Sequence, residues 1–240
     1  MLKSGVCSVT FRQLSAAEII KLTVDAGLDG IEWGGDIHVP AGDIATAESV
    51  GRMTREVGLC VTGYGSYFRC DDAAAIAPLA ASARALQAPS IRVWTGRKSR
   101  RDISSGELDS LVKVIRLLCD AVPEMSINSE FHNNTFTDDA EGVLELIERV
   151  DRSNFKTGFQ LYQHLDNLNN AKLFKPYLGN VHVYNYDHAP LSECAGLWQQ
   201  LIAEFADQDR ALLLEFVQDN APENFLRDAA VLRQLLAEYK

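Results

Sequence analysis

The chain has 240 residues, 47% hydrophobic and 23% charged, with a formal net charge of −10. That length suits one large domain or two small ones with a sizeable apolar core, while the acidic balance argues against a nucleic-acid or anionic-membrane surface, which needs clustered cations. The opening MLKSGVCSVTF is too short and polar for a secretory leader, and no run of about eighteen apolar residues marks a membrane span. The five cysteines lack CxxC or zinc-ribbon spacing, so a reduced, cytoplasmic setting is the expectation.

Short β-rich runs alternate with longer helical patterns. Strands are predicted at 5–9, 29–33, 59–64, 90–95, 125–131, 156–161, 180–185 and 211–216. Their starts fall one strand–helix unit apart. Between them, Ser15 with Glu18 and Ser104 with Glu107 have capping-box spacing, in which a hydroxyl and a carboxylate each satisfy an orphan backbone group. Thr137 ahead of Asp138 and Asp139 predicts a third helix start, followed by an amphipathic stretch over Ala140–Val150 with Val143, Leu144, Ile147 and Val150 on one face. Gly27, Gly58 and Gly179 are placed to stop helices before the next strand, and 223–239 reads as a terminal amphipathic helix. Eight units without a linker predict a single (β/α)₈ barrel spanning 1–240. The competing open doubly wound sheet usually carries a Gly-rich phosphate loop after its first strand, and GVCSVTFRQLS has none.

The last four strands end in polar groups that are costly to bury alone: Glu130, Gln160, His182 and Glu215. All five histidines (His38, His132, His164, His182, His188) fall at or just after predicted strand ends, which in a barrel share one face. Period-two alternation points Asn128, Glu130 and His132 inward, with Gly158 and Gln160, His182 and Tyr184, and Leu213 and Glu215 on the neighbouring strands. Two carboxylates, an imidazole and an amide oxygen suit one divalent ion, Mn²⁺, Mg²⁺, Co²⁺ or Zn²⁺; a buried hydrogen-bonded network is the alternative.

TFR after strand 1, GIEWGGDIHVP at strand 2, GYGSYFR at strand 3, IRVWTG at strand 4 and EFHNNTFTD at strand 5 carry a resemblance. The chain is similar over essentially its whole length to the xylose-isomerase-like TIM-barrel superfamily. That group includes sugar isomerases, keto-sugar epimerases, hydroxypyruvate isomerase, inosose dehydratase and family 2 apurinic endonucleases. The resemblance implies metal ligands at Glu130, Gln160, His182 and Glu215, with Gln160 standing where the family usually has Asp. It also implies an acid–base pair, Glu130 and Glu215, that moves a proton beside a carbonyl through an enediolate, and a homodimer as a common assembly. The endonuclease branch needs extra histidines on strands 3 and 4 that GYGSYFR and IRVWTG lack.

The expected activity is therefore isomerisation or epimerisation of a small sugar or sugar phosphate. An enolate-type dehydratase and a non-catalytic sugar-binding barrel are the alternatives. Substrate contacts are expected from Glu32, Trp33, His38, Tyr67, Arg69, Arg92 and Trp94, and from His132, His164 and His188, since indole faces suit sugar C–H groups and arginine forks suit oxygens. Two readings fit the cationic run Gly96-Arg97-Lys98-Ser99-Arg100-Arg101: a phosphate holder over the barrel mouth, or a solvated loop.

Overall fold

In a computed structural model, which describes residues 1–239, eight parallel strands close into one barrel in sequence order, β8 pairing with β1. The strands are β1 (Leu2–Cys7), β2 (Gly30–Gly34), β3 (Cys60–Gly65), β4 (Ser90–Val93), β5 (Ser126–Ser129), β6 (Phe155–Phe159), β7 (Leu178–Val183) and β8 (Arg210–Leu214). The helices are α1 (Ala16–Asp25), α2 (Ile44–Glu56), α3 (Ile76–Leu86), α4 (Ser105–Ala121), α5 (Ala140–Val150), α6 (Asn167–Phe174), α7 (Ala195–Phe205) and α8 (Pro222–Leu236). Each follows its strand, the (β/α)₈ order expected from the alternating pattern.

Local chemistry sets the helix ends. Both predicted capping boxes form, Ser15 with Glu18 on α1 and Ser104 with Glu107 on α4. Gly27 and Gly58 follow α1 and α2 with φ of +65° and +85°, a region where a side chain would be strained. Two expectations are corrected. Asp139, not Thr137, caps α5; the Thr137 hydroxyl donates instead to the Glu130 carbonyl at 2.6 Å and so ties the helix entry to the end of β5. Gly179 lies within β7 rather than at a helix end, and a Cβ there would sit 2.4 Å from Asn128 Oδ1 across the barrel.

The main apolar core fills the shell between strands and helices, with Ile31, Trp33, Ile91, Val93, Ile127, Val181, Leu212 and Leu214 on the outward strand faces. Inside, the described residues form a small apolar patch of Cys7, Val9, Ala211 and Leu213. The rest of the interior is polar, with Glu32, Arg92, Asn128, Glu130 and His182 all buried. TIM barrels usually fill this space with branched aliphatic residues, so the charges here mark where chemistry is concentrated. Among the described residues, no helix is long and apolar enough to cross a membrane.

Candidate active site at the barrel mouth

Glu130, Gln160 and Glu215 are each the first residue beyond their strand, and His182 is the fifth residue of β7. This brings all four side chains to the C-terminal side of the barrel. All four are buried, and Glu130, His182 and Glu215 each offer a ligand atom within 4.8 Å of the others. His182 Nδ1 faces Glu215 Oε2 at 3.0 Å, and its Nε2 faces Glu32 Oε1 at 3.6 Å. Arg92 donates from Nε to Glu32 Oε1 at 2.9 Å and from Nη1 to Glu130 Oε2.

These charges shape one another. Burial opposes ionisation of Glu32, but Arg92 and His182 outweigh it and hold this carboxyl down at about 2. Burial also opposes a charge on His182, yet Cys7 and Glu215 beside it raise the ring well above the ordinary histidine range. The Cys7 thiol is itself pushed up to about 12 by burial. It is therefore neutral at physiological pH, and the carboxylates carry the effect on the imidazole. Glu215 is lowered against its own burial by His182. Arg92, raised by Glu130 and Glu32 against the cost of burial, stays charged.

The donor set fits a divalent cation. Two carboxylates and an imidazole converge at separations compatible with one ion, provided the His182 proton leaves on binding. Gln160 supports the same reading. Its Nε2 donates to the Phe131 carbonyl at 2.5 Å and to the Tyr162 hydroxyl at 2.9 Å, which fixes the amide and leaves Oε1 with no hydrogen bond among the described residues.

Above this floor lies a cavity of about 370 Å³, lined by Arg12, Tyr67, Arg92, Trp94, Glu130, His132, Asn133, Gln160, Tyr162, Tyr184, His188, Glu215 and Phe216. Trp94 packs against His132 at 4.4 Å between ring centroids and stacks on Tyr67 at 6.2 Å. The Arg69 guanidinium lies over the indole at 4.2 Å, so Arg69 braces the wall and does not line the cavity. Across the mouth, His188 stacks on Phe216 at 5.3 Å; both backbones are left-handed, at φ +56° and +55°. Non-glycine residues held there cost energy, and such strain clusters at functional sites.

Several residues expected at the substrate lie elsewhere. Trp33 is fully buried on the outer barrel face, its indole N–H donating to Thr54 Oγ1 on α2 at 3.1 Å. His38 is packed between Ser8 Oγ at 3.0 Å and the Leu14 carbonyl at 3.1 Å. His164 is exposed and does not line the cavity, and Glu32 sits beneath it as the partner of Arg92. Three of the four cations of the 96–101 loop are paired: Arg97 with Asp71, Lys98 with Glu107, and Arg100 with Asp139 and Glu141. None of them reaches the mouth cavity.

Arg12, Asn133, Tyr162 and Phe216 were not picked out from sequence. Arg12 donates to the Tyr67 hydroxyl and pairs with Asp36. Its position just past β1 is the one signal that sequence reading could have used. For Phe216, directly after Glu215, the left-handed turn that aims its ring is invisible in the chain order.

Comparison with known proteins gives consistent results. A family model described as a xylose isomerase-like TIM barrel matches residues 20–235. A 3-dehydroshikimate dehydratase from Bacillus anthracis is 24% identical over 96% of each chain. Two solved structures share the fold across nearly their whole lengths. One is the probable 3-DHS dehydratase of petrobactin synthesis from Bacillus anthracis, with a TM-score of 0.82, 24% identity, and 97% and 98% of the two chains covered. The other is a 3-keto-D-glucoside 4-epimerase from E. coli, at 0.74, 18%, and 99% and 100%.

Proposed function

The chain belongs to the xylose isomerase-like TIM barrel family, and from that premise we propose that it enolises a small keto-polyol with Glu130 and Glu215 as its proton-transfer pair. The coarse assignment, an enzyme acting on sugar-like substrates, follows from the family and its relatives. The finer reading rests on one observation. Two buried carboxylates flank His182 at the cavity floor, each with Oε2 held by a cation and Oε1 free of hydrogen bonds among the described residues.

Glu130, Gln160, His182 and Glu215 would hold a divalent cation, which when bound supplies Lewis-acid stabilisation of charge developing on substrate oxygens. The protein residues do the rest. Tyr67 and Trp94 on one side and Phe216 on the other confine the carbon skeleton, and the cavity suits a ligand of monosaccharide size. With Arg92 and His182 orienting them, one glutamate removes the proton beside the carbonyl. The other returns it to the opposite face or to the neighbouring carbon, giving epimerisation or isomerisation. Because no cation of the 96–101 loop lines the cavity, a neutral sugar is favoured over a phosphorylated one.

A second reading, dehydration, is favoured by His132. Its Nδ1 lies 2.8 Å from the Asn133 carbonyl, so in the neutral ring Nδ1 carries the proton and Nε2 is left free. A third proton-transfer group on the same strand end as Glu130 would serve a leaving β-hydroxyl. The full-length relative named as a dehydratase points the same way.

Incubating a panel of keto-polyols in D₂O with Mn²⁺ tests both readings by mass spectrometry. Deuterium uptake without loss of mass supports isomerisation or epimerisation, and a product lighter by one water supports dehydration. If Glu130→Gln and Glu215→Gln both leave the exchange rate unchanged, the proton-transfer assignment is wrong.

A further inference from the structure

The polar interior is an alternating chain of charge: Glu130, Arg92, Glu32, His182, Glu215. Its two ends are the carboxylates at the cavity floor, and its centre is Glu32, only 2% exposed. Arg92 uses Nε and Nη1 to bridge two carboxylates that would otherwise repel each other in a medium of low dielectric. Its Nη2 lies beside Gly65 of β3, where a Cβ would fall 2.7 Å from it and 2.8 Å from Glu32 Oε1. A Cβ on Gly63 would fall 3.1 Å from Glu32 Oε2. Glycines at both positions of β3 leave the room this ion pair occupies. Arg92 thus commits Nε and Nη1 to Glu32 and Glu130.

We propose that Arg92, anchored by Glu32, is a built-in counter-ion that stands in for the divalent cation at Glu130 and sets how tightly that cation is held. The inference rests on the metal reading above. Before the cation binds, Arg92 neutralises Glu130 and keeps the carboxylates together. When it binds, the two cations share Glu130, and Glu32 offsets the charge of Arg92 so that both are tolerated. In this role Glu32 and Arg92 are positioning residues that act through Glu130.

The two partners are then expected to move metal affinity in opposite directions. Glu32→Gln leaves the Arg92 charge uncompensated beside the site and should weaken Mn²⁺ binding roughly 10–100-fold, the usual effect of losing a group behind the ligands. Arg92→Gln removes the competing cation and should tighten it, while lowering the melting temperature of the metal-free protein by roughly 10 °C, because a buried carboxylate pair is left unmatched. The double variant should return to near wild-type affinity. A purely structural role would weaken binding in both single variants and more in the double, so the sign reversal is diagnostic.

The experiment is a calorimetric Mn²⁺ titration of the four metal-stripped proteins, with melting curves alongside. Weaker binding by Arg92→Gln, or a double variant no better than Glu32→Gln, overturns the inference. Should Arg92→Gln not fold without metal, the double variant decides, and an affinity no better than that of Glu32→Gln overturns it. Should the wild type bind no Mn²⁺, the metal reading fails by itself. Arg92→Gln must then gain binding for the counter-ion inference to stand, and its silence overturns both.

Discussion

Gln160→Glu places a carboxylate where the amide stands, and the structure sets two opposing consequences. Gln160 is 5% exposed, and its Nε2 donates to the Phe131 carbonyl and the Tyr162 hydroxyl. An ionised carboxylate can donate to neither. Losing two hydrogen bonds costs about 1 kcal/mol each, and a buried acceptor facing a carbonyl adds about 1–3 kcal/mol. The metal-free variant should therefore be about 3–5 kcal/mol less stable. For a domain of this size that is a fall in melting temperature of roughly 10 °C.

The penalty should depend on pH with a definite sign. Burial beside a carbonyl raises the folded pKa of the new carboxyl above the usual value near 4.3, and its protonated form can donate to Phe131 O. The variant should approach wild-type stability below about pH 4 and lose it as pH rises. In the other direction, the added negative charge should tighten Mn²⁺ binding at least about 10-fold, so that excess metal recovers part of the lost stability; at a concentration of 100 Kd, linkage supplies about 2.7 kcal/mol. Differential scanning fluorimetry with and without Mn²⁺, from pH 4 to 8, reads both effects. A metal-free variant as stable as wild type at pH 7 refutes the hydrogen-bonding account of the amide, and unchanged Mn²⁺ affinity refutes Gln160 as a ligand.

Other outcomes follow from the same geometry. Gly65→Ala pushes a methyl group into the Arg92–Glu32 pair and should cost about 1–3 kcal/mol, whereas Gly106→Ala, which meets nothing within 4 Å in the first turn of α4, should leave thermal stability equal or slightly higher. Arg97→Ala and Lys98→Ala should leave KM alike for a phosphorylated sugar and its neutral counterpart, because both cations are already paired; a selective rise for the phosphorylated form restores the phosphate reading. Burial holds the His38 imidazole below the ordinary range while the unfolded chain takes up a proton near pH 6.5, so this contribution to stability is complete above that pH and lost as pH falls through it. Urea titrations of wild type and His38→Gln should show a steeper loss in the wild type between about pH 7 and 5.

Much of the fold is written locally. The two capping boxes, the glycines after α1 and α2 and the alternation of strands with helices each depend on residues a few positions apart, so they can be read from the chain. The shared side of Glu130, Gln160, His182 and Glu215 is legible for a related reason: parallel strands in a closed barrel deliver their C-terminal ends to one face. The same logic overreached at Thr137, where a hydroxyl suited to capping found a better partner in the Glu130 carbonyl.

What only the tertiary structure decided is which polar groups meet. Glu32 and Arg92 lie 60 positions apart in the chain, yet they pair at the cavity floor because glycines on the strand between them leave space. Trp33 turned outward to Thr54, and His38 was taken up by Ser8 and Leu14. Phe216 entered the mouth through a left-handed turn. A strand end fixes the face on which a side chain begins. Where it stops depends on the room and the charge that other strands supply, and those exist only once the barrel has closed.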